Sequence, residues 1–130
     1  MSWTSRSAAF LSALVLAGSG LAVSATPAAA AGGCPEARLC VWDGVDFTGN
    51  RIASASTNTC FFINDITVFG SVRSYSNNLP VVAKIWHVKN DEFALARTLP
   101  AGGFSSNIGT PLGGAPFDKI CLGSALPGSS

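Results

Sequence analysis

Leu39-Cys40-Val41-Trp42-Asp43-Gly44-Val45-Asp46-Phe47-Thr48-Gly49 is the stretch that decides the fold. It opens with four residues of strand character, then the turn pair Asp43-Gly44, and then an aromatic-x4-aromatic-x-Gly pattern, Trp42 to Phe47 to Gly49. That spacing suits a hairpin folded back over its own sheet. The two aromatic rings pack across the bend, and the glycine supplies a backbone angle or a close approach that a Cβ would obstruct.

The rest of the chain extends this all-β reading. Apolar residues alternate or run in short blocks, and Gly, Pro, Asn and Ser interrupt them about every ten residues, the mark of a sandwich or barrel of short strands. Strands are predicted over 39–42, 47–54, 60–63, 68–75, 81–88, 93–99 and 117–122. The alternation is clearest over 81–88: Val82, Lys84, Trp86 and Val88 share one face, and Val81, Ala83, Ile85 and His87 the other. Lys89-Asn90-Asp91-Glu92 turns the chain, residues 109–116 are irregular, and 124–130 form a flexible tail. A faint duplication pairs Trp42 and Phe47 with Trp86 and Phe93, and suggests two related four-stranded halves.

Upstream of the quoted stretch the composition changes. Arg6 precedes an apolar run, Ala8 to Val23; Thr26-Pro27 breaks it, and Ala28 to Ala31 offers small-residue cleavage sites. This order is that of a signal peptide over residues 1–31, cut after Ala30 or Ala31, and it predicts a secreted domain at 32–123 followed by the tail. The mean hydropathy of +0.38 owes much to this leader. Without Arg6, the seven remaining basic residues balance the seven acidic ones. Such a neutral domain has no electrostatic footprint for nucleic acid or an anionic membrane. A monomer is expected.

Cys34, Cys40, Cys60 and Cys121 all lie beyond the leader. An even count in a small exported domain reads as disulfides, and their spacing, with His87 as the single histidine, fits no zinc pattern. Four cysteines allow three pairings. Catalysis has little to work with. A nucleophilic triad would have to use His87 in its strand, and Asp91-Glu92 are a solvated turn pair; no catalytic residue, metal or cofactor is expected. Trp42, Phe61, Phe62, Phe69 and Trp86 are assigned to the core rather than to a sugar-binding face.

The opening Cys34-x5-Cys40, the Trp42-x4-Phe47-x-Gly49 pattern, the segment Ser71-Val72-Arg73-Ser74-Tyr75 and the Trp86 strand together resemble peptidase inhibitor family I36, secreted actinobacterial proteins of β/γ-crystallin-like fold. The resemblance implies a Greek-key sandwich of two four-stranded halves, a Cys34–Cys40 bridge and with it Cys60–Cys121. It assigns to Ser71 the hydroxyl that bonds the folded hairpin. Crystallin-type calcium sites place Asn or Asp shortly before such a serine. Asn64-Asp65 stands too far ahead of Ser71, and Gly102-Gly103-Phe104 precedes Ser105, so calcium is not expected. The function implied is inhibition of secreted metalloendopeptidases by a rigid loop that blocks the cleft. The family's Cys-bounded loop has no counterpart between Cys60 and Cys121. The contact loop is therefore sought at residues 58–64, with Cys60 and Phe61 as reactive residues because thermolysin-like enzymes favour a large apolar residue after the cleaved bond, or at residues 102–116. The alternative function is a non-inhibitory crystallin-type module that binds the cell envelope or acts as a killer-toxin-like antimicrobial.

Overall fold

A computed structural model describes residues 31–65 and 68–129. Residues 1–30 of the leader assigned to residues 1–31 lie outside the described residues. The described residues form eight strands: β1 Leu39–Trp42, β2 Arg51–Ser54, β3 Cys60–Phe62, β4 Ser74–Asn77, β5 Ala83–Lys89, β6 Glu92–Leu99, β7 Phe104–Ser105 and β8 Lys119–Leu122. They form two antiparallel four-stranded sheets, ordered β2-β1-β4-β7 and β3-β8-β5-β6. Each half of the chain builds three strands of one sheet and sends its third strand to the edge of the other. The duplication read faintly in the sequence is thus a real symmetry of connection: β1, β2, β3 and β4 correspond to β5, β6, β7 and β8.

The sheets enclose one core because period-two side chains from both point inward. Leu39, Val41 and Tyr75 come from the first sheet, and Ala83, Ile85, Leu99, Ile120 and Leu122 from the second. Phe69 and Val72 join them from the connection before β4. Val72 makes an isolated bridge with Leu112, so the strand expected over 68–75 starts only at Ser74. Asn77, which falls between the strands predicted over 68–75 and 81–88, ends β4 fully buried. Its Nδ2 donates to the carbonyls of Val81, Leu99 and Pro100, and its Oδ1 accepts from Leu79 N–H. One amide side chain thereby satisfies backbone groups where the chain crosses between sheets, which a buried loop otherwise leaves orphaned.

The outward faces of β1 and β8 are covered too, and all four residues of each strand are buried. Over β1, Cys40 and Trp42 pack with Cys34 and Phe47. The bridges are Cys34–Cys40 and Cys60–Cys121. The second joins directly opposed residues of β3 and β8, with Cα atoms 4.0 Å apart. Over β8, residues expected as a flexible tail fold back instead. Lys119, 5% exposed, donates from Nζ to the Pro127 carbonyl at 2.7 Å, and Ser124 Oγ bonds Asn58 Oδ1. The Lys119 ammonium also lies 4.6 Å from the Phe62 ring centroid and 5.3 Å from that of Phe93. A buried ammonium needs such partners, and the tail carbonyl is one of them. At the other end Ala31, assigned to the leader, is buried and accepts a hydrogen bond from Cys34 N–H, so the fold includes it.

Candidate functional site

The folded hairpin between β1 and β2 takes the form its spacing predicts. Asp46 and Phe47 hold positive φ, which turns the chain over the sheet and stacks the Phe47 ring on Trp42 edge-on, centroids 5.2 Å apart. This shortens the strand expected over 47–54 to Arg51–Ser54. Gly49 has φ +85°, and a Cβ there would collide with the Asp43 carboxylate. The clasping hydroxyl belongs to Ser74, not to Ser71. Ser74 Oγ donates to the Gly44 carbonyl at 2.7 Å and accepts from Phe47 N–H at 3.1 Å. Pairing of β1 with β4 sets Trp42 opposite Ser74, directly under the hairpin, whereas Ser71 lines a cleft elsewhere.

Asp43 braces the same hairpin. Burial alone would raise its pKa. The Asn50 side chain and the N–H groups of Gly70 and Asn50 all donate to the carboxylate, outweigh that effect and hold the group below its ordinary value. The stabilisation is therefore complete above the unfolded aspartate range near pH 4 and is lost as pH falls through the lower folded value. Asp43→Asn should lower the urea midpoint at pH 6, and the gap to the parent protein should close below pH 3. A gap that persists unchanged at low pH would refute the linkage.

Cys60 and Phe61 do not form a loop. They lie in β3, hydrogen-bonded to β8, and Phe61 packs against the core. What the strand presents outward is Phe62, 36% exposed. The structure brings this end of β3 against the end of the other segment considered, residues 102–116. Ile63 N–H donates to the Asp118 carbonyl and Asn64 Nδ2 to the Ala115 carbonyl. Phe62, Asn64, Asp65, Pro116 and Phe117 line a hollow of about 360 Å³. Phe117, expected to begin the last strand, instead stands on a four-residue turn before it.

That turn, Ala115-Pro116-Phe117-Asp118, is closed by Asp118 N–H donating to the Ala115 carbonyl. Proline at its second position and φ +70° at Phe117 are the arrangement of a type II turn. Its base is clamped by the buried Asp118 carboxylate. Oδ2 accepts Ala115 N–H at 3.2 Å; Oδ1 meets His87 Nδ1 at 3.0 Å and Val88 N–H at 3.4 Å. His87 is therefore the half-exposed outer partner of a structural carboxylate. It shares with Ser71, Leu95 and Pro111 a cleft of about 500 Å³ on the far side of Asp118. The tip is apolar and exposed: Phe117 is 65% accessible and meets Phe62 edge-on at 6.4 Å. Among the described residues no three His, Cys, Asp or Glu side chains converge as metal ligands. Asn64, considered for calcium, spends its amide on Ala115.

A family model for peptidase inhibitor family I36 matches residues 27–92, half of the chain. The chain belongs to that family. Comparison with curated proteins and with solved structures returned no match. The protein is thus a peptidase inhibitor and not itself an enzyme, and its partner is a peptidase. The matched span carries the Cys34–Cys40 opening, the clasped hairpin and β5, and ends at the first residue of β6. The turn at 115–118 lies beyond it. Sequence reasoning passed over that turn because Phe117-Asp118-Lys119-Ile120 has the alternation of a strand. Its one local signal was Pro116, which favours the second position of a turn.

Proposed function

We propose that this inhibitor acts on secreted metalloendopeptidases, and that it docks through the face formed by Phe62–Asp65 and the turn Ala115–Asp118. The observation that carries the docking face is the clamped turn. An inhibitor must order its contact loop before binding, since a loop ordered in advance loses little entropy on docking. Here the turn base is tied to β3 through Ile63 and Asn64, and to β5 through His87 and Val88. The metalloendopeptidase target is supported by the resemblance of the Cys34–Gly49 opening to secreted inhibitors of that class. A large exposed phenylalanine also suits enzymes that favour apolar residues next to the cleaved bond.

Export accords with two disulfides in a small neutral domain, since such bridges persist in oxidising surroundings. No helix among the described residues is long and apolar enough to cross a membrane. The decisive experiment titrates residual activity of thermolysin, chymotrypsin and trypsin against the purified domain. Stoichiometric loss of thermolysin activity, with the two serine enzymes unaffected, is expected. Thermolysin left fully active at a tenfold excess would reject the target class.

A further inference from the structure

Among the described residues two phenylalanines hold a positive φ, a conformation that costs any residue with a Cβ. Phe47 recovers the cost within the fold, because its ring stacks on Trp42 and its N–H bonds Ser74. Phe117 does not recover it in the same way. It occupies the third position of a type II turn, where glycine is favoured, yet its ring is 65% exposed and touches Phe62 only at an edge. Glycine there would relieve the backbone and remove an exposed apolar ring. The free protein thus carries a backbone cost and an exposed apolar ring at one residue, and burial of that ring by a partner would offset the cost.

Building on the metalloendopeptidase reading, we propose that Phe117 is the specificity-determining residue of the inhibitor, a plug that fills a large apolar subsite of the target and is not cleaved. The ring has the area to anchor an interface, about 150–250 Å² when buried. Aromatic side chains at the centre of a contact face carry most of its binding energy. The surroundings fit an apolar receptor. Pro116 precedes Phe117 at the tip and Phe62 flanks it; of the nearby charges, Asp118 clamps the turn and Lys119 bonds the tail, which leaves Asp65 as an exposed carboxylate in the lining of the hollow. The turn also explains survival. Endopeptidases bind the chain they cut in extended form, whereas the Asp118 N–H to Ala115 carbonyl bond holds these four residues bent. The ring can enter a subsite while the bond before it stays out of line with the catalytic centre.

The experiment compares the parent domain with Phe117→Gly, Phe117→Asn and Phe117→Leu against thermolysin, with chymotrypsin and trypsin in parallel. Gly and Asn both tolerate positive φ, so the turn is kept when the ring is removed. Both should weaken inhibition about 100-fold while the melting temperature stays level or rises; Leu should stay within about tenfold of the parent. Intact mass of the inhibitor recovered after long incubation should be unchanged. If the parent inhibits thermolysin and the Gly and Asn variants do so equally, the assignment of Phe117 falls and the metalloendopeptidase reading stands. If chymotrypsin is the enzyme inhibited and the variants lose that, Phe117 stands and the target class falls. Inhibition confined to trypsin, or of no enzyme at all, overturns both. Scission between Pro116 and Phe117 overturns the uncleaved plug.

Discussion

Replacing Cys60 and Cys121 together with alanine should lower the melting temperature by about 20 °C, and replacing Cys34 and Cys40 together by about half as much. The Cys60–Cys121 bridge spans 61 positions and the Cys34–Cys40 bridge six. In the chain-entropy model, loops of those sizes contribute about 4 and about 2 kcal/mol. For a domain of this length each kcal/mol moves the midpoint by about 4–8 °C. The longer bridge also holds a vulnerable piece. β3 has three residues, lies at a sheet edge and pairs with β8 alone, so this strand is held in the second sheet by three register pairs and one disulfide. Loss of the bridge should loosen β3 together with Ile63 and Asn64, which steady the 115–118 turn. Inhibition should therefore weaken in the Cys60/Cys121 variant and persist in the Cys34/Cys40 variant. Thermal denaturation of both double variants decides the order, and equal shifts would refute the argument.

The second large effect is expected at Asp118. Its carboxylate is 1% exposed and serves three partners on two separate segments. Asp118→Ala should cost about 3–4 kcal/mol, because it strands the N–H groups of Ala115 and Val88 and leaves a void beneath the turn. Asp118→Asn retains the shape and one acceptor and should cost about half of that. The Ala variant should lose both stability and inhibition, in contrast to Phe117→Gly, which should lose inhibition alone. Urea midpoints measured beside inhibition constants separate the two patterns. A fully stable Asp118→Ala protein would show that the clamp contributes little.

Local physics made much of the architecture legible. The alternation over residues 81–88 set Ala83 and Ile85 on one face, which the structure turns to the core, and the strand at Leu39–Trp42 is present with the bounds read for it. Trp42, Phe47 and Gly49 announced a hairpin folded on its sheet because each requirement is met within eight residues: two rings to stack, and one position closed to a Cβ. The second half lacks that motif for a visible reason. Asn90 and Asp91, both at positive φ, close β5 and β6 with a two-residue turn, so no hairpin folds over Trp86. The cysteines, too, pointed to a stapled domain by their number.

What the chain by itself left open was settled by pairing between distant strands. Ser71 and Ser74 are equivalent as sequence; the register that sets Trp42 opposite Ser74 chose between them, and a shift of one residue would have turned that side chain to the other face. Residues 124–130 read as a flexible tail, yet the outer side of β8 needed a cover and the Pro127 carbonyl supplied a partner for the Lys119 ammonium. The proposed docking face has the same origin. Phe62 and Phe117 are 55 residues apart and belong to different halves. They meet because β3 crosses to the second sheet and lies beside β8, an exchange of strands that no local periodicity records. From sequence alone this protein was a small all-β inhibitor scaffold with a clasped hairpin. The tertiary structure decided where that scaffold leaves an aromatic residue exposed on a fixed turn, because only long-range pairing brings His87, Val88 and Asn64 to the turn that carries it.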